Sequence, residues 1–208
     1  MRILFAVKPH LPAVGGAQQT MHWLALGLQR RGHDVAVLAS SSPHPEQRVQ
    51  PPELGYPLTV SARPERILSE LAEAFAADVV VAGAYDESCA RTTRLLLRAA
   101  APRPTLLHVH DAAGAPLADE HPAAIVAVSE HVRRLIEARG ASATVSLPPL
   151  EHAHYRVASS RRTALLINPV PKKGIDRVLD LAAARPDVPF ALTLAWHMSR
   201  NALTRLRV

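Results

Sequence analysis

Cysteine is almost missing from this 208-residue chain, with Cys89 standing alone. A single thiol excludes an internal disulfide and any Cys-x-x-Cys redox or metal motif, and it fits a reducing, cytoplasmic setting. Aromatic residues are scarce at 4%, and no basic stretch interleaves with them, which argues against a stacking platform for nucleic acid. No apolar run reaches the length of about eighteen residues that a membrane span needs, and no signal-peptide pattern opens the chain. A G-x-G-x-x-G dinucleotide fingerprint and a P-loop are both lacking. Eleven histidines are present, yet none forms H-E-x-x-H or a comparable ligand cluster, so no metal site is expected.

The composition that remains is globular, with 48% hydrophobic and 20% charged residues, and long enough for one sizeable core or two small ones. The net charge of +6 is carried mostly by arginine. It is compatible with a phosphorylated ligand or a peripheral membrane contact. The pairs Arg30-Arg31, Arg133-Arg134 and Arg161-Arg162 read mainly as solvated helix faces.

Apolar periodicity gives the organisation. Arg2 to Val7 is a strand-length run, followed by Lys8-Pro9-His10-Leu11-Pro12, which cannot be helical. After Gly15-Gly16, Met21, Leu24, Ala25 and Leu28 share one helical face, and Gly32 closes that helix. Asp34 to Ala39 is a second buried strand, so the chain opens on a right-handed βαβ unit. Ser40 to Pro52 reads as a loop and Tyr56 to Val60 as an edge strand. A helix starts at Pro64, with Ile67, Leu68, Leu71 and Phe75 inward. Strands are expected at Val79 to Gly83, Thr105 to His110, Ala124 to Val128 and Ala143 to Leu147. Helices are expected over Arg91 to Ala100 and from Ser129, as N-cap, to Arg139. Asp111 to Pro122 reads as a long loop, of the kind that carries function.

Residues 1–150 therefore predict an α/β fold, a doubly wound parallel, Rossmann-like sheet. Residues 151–162 read as a linker. From Thr163 a fresh strand begins, followed by the Asn168-to-Gly174 loop, a helix on Ile175, Val178, Leu179 and Ala182, and a strand over Val188 to Leu194. One βαβ cannot bury both faces of its strands, so residues 163–208 predict an incomplete second α/β domain. No assignment is made for Trp196 to Val208.

In such folds ligands bind at the carboxyl edge of the sheet. Gly15 and Gly16 lie there, where free N–H groups at a helix start favour an anion, although a plain tight turn explains the pair equally well.

Pro12-x-x-Gly15-Gly16, Leu28-x-x-Arg31-Gly32-His33-Asp34-Val35, Val126-Ala127-Val128-Ser129 and the Asn168-Pro-Val-Pro-Lys-Lys-Gly174 loop, in this order, resemble a GT-B, family-4-like glycosyltransferase. The resemblance runs over about Met1 to Leu194. It implies two Rossmann-like domains, the N-terminal one (1–150) holding the acceptor and the C-terminal one holding a nucleotide-sugar. It implies sugar transfer, with retention of the anomeric configuration in most members. It places His110 at the family's histidine near the transferred sugar, and Gly15 and Gly16 at the donor diphosphate or the acceptor. Lys173 matches the family's Lys-Gly pair, whose cation neutralises the pyrophosphate, so no metal cofactor is required. Asp111 becomes a possible acceptor contact.

His110 could instead bond a loop carbonyl, and His108, two residues earlier on the same face, is its competitor. Lys173 could be a surface lysine beside Lys172, and Ser129 reads as a cap. The sequence also departs from the family. Pro148-Pro149-Leu150-Glu151 stands where Asn-Gly-Val-Asp is usual, and Asn168-Pro169 replaces the Gly-Arg that supplies a phosphate-binding arginine. The sequence ends before any Glu-x7-Glu motif, so a truncated enzyme, or one completed by a partner chain, is expected. The partners expected are a nucleotide-sugar and a sugar or small-molecule acceptor, with no nucleic acid. Two alternatives stand beside this: a non-catalytic binding fragment of such an enzyme, and an unrelated Rossmann-like nucleotide-binding protein.

Overall fold

The computed structural model describes residues 1–8, 10–11, 15–40, 54–150, 156, 158 and 161–194. Ser40 is the last residue of a strand rather than the start of a loop; the rest of the loop expected over 40–52, most of the 151–162 linker and the unassigned tail fall outside these residues. The chain divides into two units, Met1–Glu151 and His152–Val208.

The first unit is a seven-stranded sheet in the order β3-β2-β1-β4-β5-β6-β7, with every pairing parallel. Its strands are β1 (Arg2–Val7), β2 (Asp34–Ser40), β3 (Leu58–Ser61), β4 (Val79–Ala84), β5 (Thr105–Val109), β6 (Ala124–Ala127) and β7 (Thr144–Val145). Helices α1 (Gly16–Gln29), α2 (Pro64–Ala74), α3 (Glu87–Ala99) and α4 (Glu130–Glu137) form the crossovers. This is the doubly wound, Rossmann-like architecture, and the strand order reverses between β1 and β4.

Period-two alternation splits the strands between two faces. Ile3, Phe5 and Val7 of β1 pack with Val35 and Val37 of β2 against Met21 and Ala25 of α1. Leu4 and Ala6 turn to the other face and meet Leu68 and Ala72 of α2 and Leu96 of α3. A third cluster joins Ala82 and Ala84, Leu107 and Val109, and Ile125 and Ala127 to Val132 and Ile136 of α4. Strands buried on both faces read as unbroken apolar runs, which is why their positions are legible.

Several boundaries differ from expectation. Helix α3 begins four residues before Arg91, because Asp86 caps it by accepting from the Cys89 N–H at 3.1 Å. Asp111 to Pro122 is not an open loop: Ala112–Glu120 is 3-10 helical and buries Gly114, Ala115, Leu117 and Ala118. Glu120 holds it to α3 through Arg94 (2.7 Å) and Arg98 (2.8 Å), and Asp119 pairs with Arg139 beyond α4. The edge strand β3 starts at Leu58 rather than Tyr56, whose hydroxyl is bonded to two histidines. Strand β7 shrinks to Thr144–Val145.

In the second unit, β8 (Ala164–Ile167) and β9 (Phe190–Thr193) pair in parallel and are joined through α5 (Ile175–Ala184). Gly174 adopts φ +82°, the left-handed conformation that glycine tolerates best, where the short 3-10 turn Pro171–Lys173 passes into α5. Ile175 is buried, whereas Leu165 and Ile167 are more than half exposed.

Candidate functional site

The carboxyl edge of the seven-stranded sheet gathers the polar groups. Next to β1, Gly15 is the extended N-cap of α1 and provides no side-chain cap. Asp86 and Ser129, by contrast, cap α3 and α4 with side-chain oxygens. Among the described residues, a methyl group on Gly16 would meet nothing within 4 Å, so they do not demand glycine there. A methyl on Gly15 would strike only the flexible Gln18 amide. As far as the described residues go, the start of α1 leaves room for a close neighbour, and its positive dipole end suits an anion.

His110 follows β5 at the same edge, its N–H donating to the Ala84 carbonyl at 2.8 Å. Its ring stands edge-on to Tyr85, with centroids 5.0 Å apart and planes at 82°. His108 Nδ1 and His110 Nε2 lie 2.9 Å apart, so the two candidate histidines are hydrogen-bonded to each other rather than competing for one place. Burial holds both neutral, pulling His108 down to about 4 and His110 to about 3, the latter with help from His108.

Tyr85 was not legible as part of this cluster, and Gly83 explains its position. A Cβ on Gly83 would come within 2.6 Å of the Tyr85 ring and 3.2 Å of Val7, so the ring occupies the space a side chain would fill. The Tyr85 hydroxyl is buried and, among the described residues, has no hydrogen-bond partner. The signal in the sequence was a glycine inside an apolar strand, followed two residues later by an aromatic one.

A second polar cluster was also missed. The Tyr56 hydroxyl bridges His10 Nε2 (2.8 Å) and His22 Nδ1 (2.6 Å), and His10 is buried at 3% exposure. Desolvation lowers both histidines, His10 to about 4 with a further contribution from His22. These three residues are far apart in sequence, and no local pattern joins them.

Asp111 is exposed and accepts from the Ala113 N–H at 2.9 Å, which caps the 3-10 segment. Ser129 caps α4. Cys89 donates from Sγ to the Lys8 carbonyl at 3.0 Å, and burial pushes its thiol up to about 11, which disfavours the thiolate. Lys173 belongs to the second unit, exposed at the end of its 3-10 turn. The first unit therefore brings Gly15, Gly16, His110 and Asp111 to one sheet edge. Among the described residues no group of three or more His, Cys, Asp or Glu could hold a metal ion. None of their helices is long and apolar enough to cross a membrane.

The family model for glycosyltransferase family 4 matches residues 14–149. The chain belongs to glycosyltransferase family 4. Solved structures agree on a GT-B fold. An alpha-glucosyltransferase in complex with UDP and a 13-mer DNA superimposes with a TM-score of 0.65 at 14% identity, over 100% of this chain and 60% of that one. The lipopolysaccharide outer core galactosyltransferase WaaB gives 0.54 at 14% identity, over 93% and 60%. MurG of Acinetobacter baumannii gives 0.53 at 15% identity, over 99% and 63%. At these identities the likeness establishes the fold alone, and this family 4 chain spans less than two thirds of each neighbour. No curated protein matches its sequence.

Proposed function

We propose that this family 4 protein transfers a sugar from a nucleotide-sugar donor to an acceptor, with His110 at the reacting sugar. The observation that carries this reading is the position of His110: it directly follows a strand at the carboxyl edge, is hydrogen-bonded to His108 and packs on Tyr85. Gly15 and Gly16, at the uncapped start of α1 on the same edge, would accept an anionic or closely approaching group. Lys173, on the second unit, would neutralise the pyrophosphate as charge builds on the leaving group, a role that needs no metal. Asp111 would touch the acceptor, although its carboxylate is already engaged with Ala113. Retention at the anomeric carbon is what the family resemblance implies.

A neutral, half-buried imidazole at this place suits hydrogen bonding to sugar hydroxyls better than charge pairing with phosphate, since desolvation opposes its protonation. The cation for the diphosphate must then come from elsewhere, and the family resemblance assigns that role to Lys173.

The test is a thermal-shift titration of the purified chain with UDP- and GDP-sugars, UDP first because it accompanies one structural neighbour. A saturable rise in melting temperature with one donor is expected, by linkage of binding to the native state. The absence of any shift would favour a second reading, a non-catalytic or partner-dependent protein.

A further inference from the structure

His108 sits in the middle of β5, opposite Gly83 of β4 and Val126 of β6 in the parallel register. It is 97% buried by area, with an exposure of 3%. Its side chain shares a sheet face with Gly83, Tyr85 and His110, because residues two apart on a strand point the same way. The absent side chain at Gly83 admits the Tyr85 ring, and that ring flanks His110. His108 closes on His110 from within the strand, with ring centroids 4.5 Å apart and an Nδ1 to Nε2 distance of 2.9 Å.

A neutral imidazole has one N–H donor and one bare acceptor nitrogen. A hydrogen bond between two imidazole nitrogens therefore requires one of them to carry a proton and the other to lack it. Two consequences follow for His110. Its Nε2 is committed to His108, so Nδ1 is the nitrogen left to meet a ligand. Its tautomer is also tied to that of His108, since the proton within the bond cannot be present on both rings.

We propose that His108 is a positioning residue, which fixes the ring orientation and tautomer of His110 so that Nδ1 faces the sugar. It rests on the reading of His110 as the group at the reacting centre. His108 itself touches no substrate. An apolar residue at this position would fill the space but leave the His110 ring free to flip and to exchange tautomers. Asparagine is different, because its amide lies near the place of Nδ1 and can donate or accept.

The experiment uses the full chain with His108→Leu and His108→Asn. Long-range 15N–1H correlation spectra of the imidazoles report the tautomer of His110, and donor-sugar consumption reports kcat and KM. A single His110 tautomer is expected in the wild type, against a mixture of both in His108→Leu, while His108→Asn keeps a hydrogen bond to Nε2 and with it the ring orientation. Turnover in His108→Leu is expected to fall about tenfold or more, with KM changed less than about twofold, and to recover substantially in His108→Asn. A single, unchanged tautomer in His108→Leu overturns the proposal. So does equal slowing of both variants, which would make His108 a space-filling residue. The spectra need no turnover, so a wild type that transfers no sugar would count against the proposed reaction and leave the tautomer result to decide the role of His108.

Discussion

Gly83 shows how one missing side chain sets up the candidate site. Alanine there would place a methyl 2.6 Å from the Tyr85 ring and 3.2 Å from Val7, inside a packed layer. Overpacking of this kind costs about 1–3 kcal/mol, and the ring that must move is the one His110 leans on. Gly83→Ala should therefore lower the urea midpoint and reduce turnover together. Unchanged stability would mean that Tyr85 has room to shift without strain. At this scale the sequence was only partly legible. His110, Gly15 and Gly16 could be read because each follows a strand end, where doubly wound folds carry function. The partnership of His108 with His110, and the placing of Tyr85, could not, because both depend on a vacancy in the neighbouring strand.

Among the helices, α3 is one whose start a periodicity reading misplaces. Glu87 to Ala90 lies before the first Arg of the expected helix, and a cap, not an apolar stripe, defines where the helix begins. The Asp86 carboxylate accepts from the Cys89 N–H and from the Ser88 hydroxyl, hydrogen bonds that outweigh its desolvation and hold it below the usual carboxylate range. Asp86→Ala should cost about 1 kcal/mol of stability and raise amide exchange in the first turn of α3. Exchange unchanged at Ser88 and Cys89 would show that the cap does not hold that turn. The 3-10 segment Ala112–Glu120 was illegible for a related reason. It carries Pro116 and Gly114, shows no 3.6-residue stripe, and is fastened by the ion pairs of Glu120 and Asp119 to residues distant in sequence. The parallel strands were the clearest elements, since burial on both faces leaves only apolar runs at their centres.

For the whole molecule, four histidines link folding to pH. His10, His22, His108 and His110 all lie below the usual imidazole value of 6.5 when folded, His10 and His108 near 4 and His110 near 3. Between 6.5 and these values the unfolded chain binds more protons than the folded one, so stability falls as pH falls. Urea midpoints should decline progressively from pH 7 to pH 4, before most carboxylates titrate. A flat profile over that range would mean these imidazoles are not held neutral. The seven-stranded sheet and its GT-B relatives establish the architecture, while the proposed reaction rests on the chemistry at one edge of that sheet. The most direct measurement is nucleoside-diphosphate release from UDP- and GDP-sugars by the wild type and by His110→Ala, with an acceptor panel, alongside folding and donor binding of both. The account predicts measurable release in the wild type with at least one donor, and a loss of about a hundredfold or more in His110→Ala with fold and donor affinity kept. Equal release by the two proteins would contradict it.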